Sequence, residues 1–557
     1  MSFFDRHFPH WPPSVPKALT LPRTSLHYNL EVSARRFPDK AAIIYYGTAL
    51  TYAALEREVA ALAGYLQQRC GVKRGDRVIL YAQNSPQFVI AYYAILRADA
   101  VVVPVNPMNK SEELAHYVGD SDARVAIAAQ ELWPEIEPHL GKGLDRIVLA
   151  AYGDFLSEKT GLKVPDFVEA PALDPGKPGV TTWKNALAAN LQPGRHEAGP
   201  EDLAVLPYTS GTTGRPKGCM LTHANLMSTT VGGGAWSHTS SELVVLGVLP
   251  MFHLTGMQSN MNIPIHLGGT SVLMTRWDRD TAAELIQRHR ITGVTGITTM
   301  VVDFLANPDL GKYDLTSLVR IGGGGAAMPE AVASKIEKTL GLPFLEGYGL
   351  TETTAPSHAN PVHRPKRQCA GIPYFATDSR VVDPGTFQEL GPNEVGEIIT
   401  HGPQVFHGYW KQPEATEEAF IEHDGKRFFR TGDLGYYDED GYFFITDRLK
   451  RMINCSGFKV WPAEVEAMLY AHPDIQEACV ISAKDPHRGE TVKAVVVLKL
   501  PARGKVQPEA IVAWAREKMA AFKAPRLVEF VEALPKTATG KVFWRKLQED
   551  ENKRTAA

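Results

Sequence analysis

The stretch YTSGTTGRPKG, residues 208–218, decides how the rest of the chain is interpreted. It follows a short apolar run at residues 203–206 that is typical of a buried strand, and it precedes an amphipathic segment, opened by Thr222 and His223, that is typical of a helix. A strand-to-helix loop is therefore predicted. Glycines allow backbone N–H groups to converge on an anion, while hydroxyls and a lysine add donors and charge. These residues are Thr209, Ser210, Gly211, Thr212, Thr213, Gly214, Lys217 and Gly218. The composition indicates phosphate binding.

The loop differs from the common GxxxxGK[ST] pattern of nucleoside triphosphatases. Lys217 is followed by Gly218, so no adjacent hydroxyl is available to hold Mg²⁺. A magnesium ligand must therefore come from elsewhere. A flexible surface linker is the alternative interpretation, but a linker rarely has a strand before it, a helix after it and a single embedded lysine.

Residues 209–218 resemble the phosphate-loop signature of the adenylate-forming superfamily. This superfamily includes acyl-CoA synthetases, the adenylation domains of peptide synthetases and beetle luciferases. The resemblance implies that the loop binds the phosphates of ATP and that Thr209 belongs to the Mg²⁺ site.

Composition restricts the class of partner. A chain of 557 residues predicts three or four structural units, and a formal charge of -3 gives no reason to expect a nucleic-acid partner. Five scattered cysteines favour a reducing cytoplasm over a disulfide framework. No signal peptide or transmembrane segment is expected, because the longest apolar runs, around residues 88–105, are interrupted by charged residues and a proline. Peripheral membrane contact and a homodimer are both compatible with the sequence.

The hydrophobic pattern predicts an α/β fold. Strands alternate with helices in two blocks, residues 26–129 and 203–348, which implies two lobes with largely parallel sheets. Residues 155–200 are predicted to be irregular, and the first dozen residues to wrap over a surface. Short strands and turns at about 370–447 predict a β-rich, barrel-like unit. We therefore predict a large N-terminal domain, residues 1–447, with lobes to about residue 369. A small mobile α+β domain, residues 448–557, follows a hinge near 447–450.

Four glycines at residues 322–325 end a predicted strand, where a flat ligand such as adenine or an acyl chain would lie against the backbone. A plain turn explains them equally well. Residues 346–353, EGYGLTET, resemble the second signature of the family. That resemblance implies that Tyr348 stacks on adenine, that Thr351 contacts a phosphate and that Glu352 binds Mg²⁺. The neighbouring residues assigned to nucleotide binding are Gly324, Gly325, Ala326, Gly347 and Gly349.

Three later segments complete the resemblance. In Thr431-Gly432-Asp433, the aspartate matches the ribose-binding position, with Arg448 as a second ribose contact. In residues 447–460, Lys450 matches the pivot on which the small domain rotates, and Gly457 would line the pantetheine tunnel. In residues 535–541, Lys541 matches the adenylating lysine, although lysines near a chain end are usually only solvated.

Two further positions are candidates for the acyl pocket. His253 matches a family position near this pocket and the thiol entry, although a packed histidine is almost as good an interpretation. Trp236 is assigned to the pocket on its apolar character, together with residues 322–325.

The resemblance covers the whole chain and predicts an ATP-, Mg²⁺- and CoA-dependent acyl-CoA synthetase, most like bacterial fatty-acid–CoA ligases. Apolar residues around Trp236 and 257–267 favour a medium- or long-chain fatty acid. An aryl-acid ligase for coumarate or benzoate and a stand-alone ligase that loads a carrier protein remain alternatives. A non-catalytic binder would be expected to lack Lys541, Glu352 or Asp433, and all three are present. Oxidative light emission needs the same adenylation residues and is distinguished by oxygen consumption.

Overall fold

The predicted α/β class is confirmed by a computed structural model. The structure describes residues 3–157, 160–209, 216–325, 327–448, 451, 453–455, 458–485, 489–537 and 542–556. Two large sheets flanked by helices form the first part of the chain, an antiparallel sheet follows, and a smaller sheet with its own helices lies nearest the C-terminus.

The first large sheet is mainly parallel, with antiparallel strands at its edges. Its strands lie in the order Ile372–Pro373, His358–Ala359, Phe344–Tyr348, Arg320–Gly324, Gly293–Gly296, Val244–Gly247, Thr270–Leu273, Ala41–Tyr45 and Thr48–Thr51. Ala41–Tyr45 pairs in parallel with Thr270–Leu273, in the second alternating block. Each alternating block of the sequence was predicted to form its own lobe. This prediction is wrong for Ala41–Tyr45, which comes from the first block but joins the sheet of the second.

The second large sheet is also mainly parallel. Its strands lie in the order Leu221–Thr222, Leu203–Val205, Val101–Pro104, Arg77–Tyr81, Val125–Ala129, Arg146–Ala150 and Val180–Thr182. The central strands read as continuous apolar runs because both of their faces are buried under helices. Residues 203–205 belong to this sheet and pair with Val101–Pro104, so the strand before the phosphate loop joins the first block rather than the second.

The helices begin where the sequence provides start signals. Thr51 and Ser85 each accept an N–H hydrogen bond at a helix N-terminus, and Pro86 occupies the first helical position. Helices of the large sheets are His27–Arg36, Tyr52–Gln68, Pro86–Arg97, Ser111–Ser121, Trp133–Ile136, Asp166–Glu169, Trp183–Ala188, His223–Trp236, Leu254–Met257, Ile263–Leu267, Arg279–His289, Thr298–Leu305 and Glu330–Leu340. A helix follows the loop as predicted, at His223–Trp236. It is buried on nearly all sides, so the prediction that it is amphipathic, with one exposed face, is wrong.

The β-rich unit is an antiparallel sheet built on the long strand Lys426–Tyr437. Its strands are Asp378–Val382, Gly396–His401, Lys426–Tyr437, Phe420–His423 and Phe443–Arg448, with the helix Pro413–Glu418 between two of them. Its first strand begins at Asp378, somewhat after residue 370, because Ile372–Pro373 still belongs to the first large sheet.

The C-terminal unit has its own hydrophobic core. Its strands are Phe458–Val460, Ile453–Cys455, Gly489–Leu498, Ile475–Asp485 and Leu527–Phe530, and its helices are Pro462–Leu469, Pro508–Lys518 and Trp544–Ala556. The boundary at 447–448 and the hinge stay predictions.

Two segments are more ordered than predicted. Residues 155–200 include two short helices and the edge strand Val180–Thr182 of the second large sheet. The N-terminal residues are also anchored: Phe4 packs on Tyr437, and Trp11 packs against Trp236. The Phe4 and Trp11 side chains are thus buried instead of lying over a surface, whereas Phe3 is exposed. Within the described part of the chain, no helix has the length and hydropathy needed to cross a membrane.

Candidate active site

The flanks of the phosphate loop form a small hairpin. Tyr208–Thr209 pairs antiparallel with Lys217–Gly218, a refinement of the predicted strand-to-helix loop. The hairpin is held by the helix Ser111–Ser121, because the Tyr208 hydroxyl donates to Asp120 Oδ2 at 2.6 Å and His116 Nε2 hydrogen bonds to the carbonyl of Pro216 at 2.7 Å. The predicted phosphate ligands Ser210, Gly211, Thr212, Thr213 and Gly214 lie outside the described residues.

The second signature joins the strand Phe344–Tyr348 to a short helical turn, Thr351–Thr353. At the end of the strand, the Tyr348 hydroxyl donates a hydrogen bond to Asp433 Oδ2 at 2.6 Å. Gly432 precedes this aspartate with φ of +66°, which a glycine adopts without strain. Arg448 lies opposite Asp433 in the antiparallel strand pair. The structure therefore brings together the three residues predicted to contact adenosine, while their roles stay predictions.

The turn that carries Glu352 is fixed by the segment at residues 404–409. The Thr354 hydroxyl donates to the carbonyl of Gln404, and the Phe406 N–H donates to the carbonyl of Glu352 at 2.8 Å. The Tyr409 hydroxyl donates to Glu352 Oε1 at 3.0 Å. Glu352 is thus a buried carboxylate whose orientation is set by hydrogen bonds to side chain and backbone.

The buried Cys219 pairs with Tyr409, whose hydroxyl contacts Glu352 and whose ring lies 4.9 Å from Lys217 Nζ. Burial is the main cause that raises the pKa of the Cys219 thiol well above its usual value, and the negative charge of Glu352 adds to it. A hydrogen bond with Thr209 and the charge of Lys217 act in the opposite direction. The predicted phosphate lysine is therefore paired with Thr209 in the hairpin and is connected with Glu352 through Tyr409.

This group is chemically suited to Mg²⁺ with a triphosphate. A carboxylate and a hydroxyl offer the hard oxygens that Mg²⁺ prefers, and this ion commonly takes few protein ligands because the phosphates supply the others. The lysine on the same hairpin supplies a fixed positive charge.

The glycines at 322–325 have a packing explanation. An added Cβ at Gly322, Gly323 or Gly324 would lie 2.6, 1.8 or 2.4 Å from a backbone carbonyl oxygen of a neighbouring strand. Glycine is needed at these positions for the strands to approach. Gly324 also lies opposite Gly347 in the sheet. Nucleotide contacts by Gly324, Gly325, Gly347 and Gly349 stay predictions, and Ala326 lies outside the described residues.

The two acyl-pocket candidates lie in different surroundings. Trp236 belongs to a packed aromatic cluster with Trp11, Tyr374 and Phe375, and its indole N–H donates to the carbonyl of Asn360 at 3.0 Å. Packing in this aromatic core therefore explains why position 236 is apolar, without an acyl ligand. His253 immediately precedes the short helix Leu254–Met257, with its ring 4.5 Å from that of Phe252. Its role at a pocket or thiol entry stays a prediction.

Contacts across the predicted hinge involve Asp447 and Arg451. Asp447 Oδ2 accepts a hydrogen bond at 2.8 Å from the N–H of Ala463, at the start of the helix Pro462–Leu469. Arg451 forms ion pairs with Asp447 and with Glu466. Lys450, Gly457 and Lys541 lie outside the described residues, so their roles remain predictions.

The sequence interpretation missed two residues with well-defined partners. Tyr409 has no charge and lies 57 positions from Glu352, so no local pattern points to it. Glu346 opens the second signature, and its carboxylate accepts hydrogen bonds from the N–H groups of Met328 and Gln368. Burial raises the pKa of Glu346 to about 7. The glutamate directly before Gly-Tyr-Gly was the one sequence feature from which a buried, hydrogen-bonded carboxylate could have been predicted here.

Comparison with known proteins places this geometry in a family. The model of the AMP-binding enzyme family matches residues 30–410, and that of the AMP-binding enzyme C-terminal domain matches residues 464–541. The chain is 39% identical over 556 residues to the long-chain-fatty-acid–CoA ligase of Bacillus subtilis (strain 168), with 97% of each chain covered. It is 37% identical over 514 residues to the feruloyl-CoA synthase of Amycolatopsis sp, covering 92% of this chain and 96% of that protein.

A solved structure has the same architecture. The anthranilate CoA ligase AuaEII in complex with anthranoyl-AMP superposes with a TM-score of 0.84 at 26% identity, covering 97% of this chain and 99% of that one. The signatures around the phosphate hairpin, the Tyr348–Asp433 contact and these matches lead to one assignment. The chain belongs to the AMP-binding enzyme family, and it is an adenylate-forming enzyme of the acyl-CoA ligase type.

Proposed function

We propose that this enzyme activates a medium- or long-chain fatty acid with ATP and transfers the acyl group to CoA. The observation that carries the proposal is that one signature holds Tyr348, which contacts Asp433, and Glu352, which is connected with the phosphate hairpin through Tyr409. One turn thus joins a residue predicted to bind adenosine to a residue predicted to bind Mg²⁺ at the phosphates. The full-length similarity to a long-chain-fatty-acid–CoA ligase supports the class of acid.

In the first half-reaction, a carboxylate oxygen of the acid attacks the α-phosphorus of ATP, and pyrophosphate leaves with the electrons of the broken P–O bond. Lys217 and the phosphate loop hold the phosphates, and Lys541 offsets the charge that develops at the α-phosphate. Glu352 and Thr209 would hold Mg²⁺, which when bound neutralises phosphate charge. Tyr348 packs on adenine, while Asp433 and Arg448 hold the ribose.

In the second half-reaction, the CoA thiol loses its proton and attacks the acyl carbonyl, and AMP leaves to give the thioester. The first step is needed because AMP leaves the acyl carbon readily, whereas the oxygen of a free carboxylate does not. Rotation about Lys450 would bring Gly457 to the site and carry Lys541 away, with His253 near the thiol entry. The enzyme would act in the cytoplasm, as its scattered cysteines suggest. A homodimer and peripheral membrane contact stay predictions.

An aryl acid is the second candidate substrate. The similarity to a feruloyl-CoA synthase over 92% of the chain favours this alternative specifically. A carrier protein in place of CoA is a further alternative for the acceptor.

Pyrophosphate release from MgATP across a panel of acids tests the proposal. The panel runs from acetate to oleate and includes benzoate, coumarate and ferulate, each with and without CoA. We expect turnover to peak at one alkyl chain length and to be sustained only with CoA. A maximum with an aryl acid would replace the fatty acid, a burst independent of CoA would indicate a carrier protein, and no release with any acid would refute ligase activity.

Replacing Asp433 with alanine tests the adenosine end of the site. Loss of a charged ribose partner is expected to raise KM for ATP at least roughly tenfold, since hydrogen bonds to charged groups contribute about 1.5–3 kcal/mol. KM for the acid should change little. Steady-state kinetics with each substrate varied in turn make the comparison. Asp440→Ala, an aspartate near the same sheet that ion pairs with Lys366, is the matched control. An equal rise in both KM values for Asp433→Ala would contradict the ribose role.

A further inference from the structure

The segment at residues 406–410 runs alongside the strand that leaves the phosphate loop. Backbone hydrogen bonds connect the two segments in both directions, and Cys219 forms an antiparallel bridge with Tyr409. The bonds run from the N–H of Met220 to the carbonyl of Gly408, from His407 to Met220, and from Trp410 to Gly218, at 3.0, 3.1 and 2.8 Å. Tyr409 is therefore held rigidly at the base of the phosphate loop.

The same segment is also attached to the second signature. The Phe406 N–H donates to the backbone carbonyl of Glu352, and the Tyr409 hydroxyl donates to its carboxylate at 3.0 Å. A hydrogen bond to one oxygen restricts rotation of a carboxylate and so fixes the direction of its other oxygen. Residues 406–410 thus join two motifs that the chain places far apart.

The Tyr409 ring also contacts the phosphate lysine. Lys217 Nζ lies 4.9 Å from the ring centroid, within the range of a cation–π interaction. Burial is the main cause that raises the pKa of the Tyr409 hydroxyl, with the charge of Glu352 adding to it. A tyrosine hydroxyl has an ordinary pKa of about 10, so it is the donor in this contact at physiological pH. One side chain contacts the predicted metal carboxylate through its hydroxyl and the predicted phosphate cation through its ring.

We propose that Tyr409 is a positioning residue for MgATP, which aligns the carboxylate of Glu352 with the ammonium of Lys217 so that both meet the same triphosphate. This inference rests on the proposed function, because it takes Glu352 as the metal carboxylate. Tyr409 itself acts through these two residues and touches no reacting atom.

Tyr409→Phe tests the inference, because it keeps the ring beside Lys217 and removes only the hydroxyl. Binding of Mn²⁺ is measured by electron paramagnetic resonance on the whole protein with the α,β-methylene analogue of ATP. The Mn²⁺ dissociation constant is expected to rise roughly tenfold or more, in the range found for residues that orient metal ligands. In kinetics, the Mg²⁺ concentration for half-maximal rate should rise, while KM for the acid stays unchanged. Tyr65→Phe, which removes a hydroxyl bonded to Thr181, is the control expected to change neither quantity.

A double-mutant cycle with Glu352→Gln separates positioning from a general structural role. If Tyr409 acts through Glu352, Tyr409→Phe should have little further effect on Mn²⁺ binding in the Glu352→Gln protein. An additive effect, or a lowered melting temperature with unchanged Mn²⁺ affinity, would overturn the inference. Should Tyr409→Phe not fold, Tyr409→His replaces it, because the shorter imidazole does not carry a donor to the position of the hydroxyl. Weakened Mn²⁺ binding in Tyr409→His supports the inference, and near-native Mn²⁺ affinity contradicts it.

The cycle also distinguishes this inference from the proposed function. If Glu352→Gln leaves Mn²⁺ binding unchanged, the metal role of Glu352 fails, and the inference fails with it. If Glu352→Gln weakens Mn²⁺ binding and Tyr409→Phe does not, only the role of Tyr409 is wrong.

Discussion

Lys541→Ala is expected to slow formation of the acyl-adenylate by roughly 100- to 1,000-fold, the loss typical when one donor to a developing charge is removed. The reason is that the lysine would neutralise charge at the α-phosphate only during the first half-reaction. Thioester formation from supplied acyl-AMP and CoA should continue at nearly the native rate. Pyrophosphate release measures the first half-reaction, and thioester formation from synthetic acyl-AMP measures the second.

A lysine of the same terminal region provides the control. Lys553 is exposed in the last helix, so Lys553→Ala should leave both half-reactions unchanged. Equal loss of both half-reactions in Lys541→Ala would contradict a role confined to the first step, and with it the rotation that removes the lysine before the second.

Gly323→Ala is expected to have the largest effect on stability. The added methyl group would lie 1.8 Å from the carbonyl oxygen of Gly296, and this oxygen belongs to the backbone of a paired strand in the sheet interior. Because neither strand can move without disturbing its other neighbour, we expect the free energy of unfolding to fall by about 3 kcal/mol, at the upper end for overpacked cores. Differential scanning calorimetry should show a melting temperature lower by roughly 3 °C.

Gly311→Ala is the matched control for this substitution. A Cβ at Gly311 meets no atom within 4 Å, so the same chemical change should leave the melting temperature within about 1 °C or raise it slightly. A Gly323→Ala protein as stable as Gly311→Ala would show that the strands separate easily, contrary to the packing explanation for the glycine run.

Local signals in the sequence were sufficient for many elements. The strand–helix alternation predicted for residues 26–129 is confirmed by elements such as Ala41–Tyr45 and Pro86–Arg97, and the short strands predicted after about residue 370 by strands such as Asp378–Val382. Helix caps, prolines and the period of hydrophobic residues act over a few residues, so they can be recognised in a single sequence. The family resemblance assigned Tyr348 to adenine and Asp433 to ribose, but their direct contact was not predicted, since the two residues are 85 positions apart.

Strand pairing and hydrogen bonds between distant residues could not be predicted from the sequence in the same way. The pattern of Ala41–Tyr45 predicts a strand but carries no information about which sheet it joins. Trp236 looked like a pocket residue because apolar character does not distinguish a ligand site from an aromatic core. Tyr409 was missed because its importance lies in its hydrogen bond to Glu352. Only the fold brings these two residues together, and no local sequence pattern indicates the contact.

The crossing strand has a consequence for synthesis of the protein. Tyr45 pairs with Leu273, so its partner is translated 228 residues later, 273 minus 45. At about 5–20 residues per second, Ala41–Tyr45 waits roughly 10–45 seconds for the edge that it will join. During that time the strand can pair with Thr48–Thr51 on one edge, but its other, apolar edge emerges from the ribosome without the strand that will cover it. The nascent chain should therefore need chaperone protection early, and a pause before residue 270 would lengthen that need.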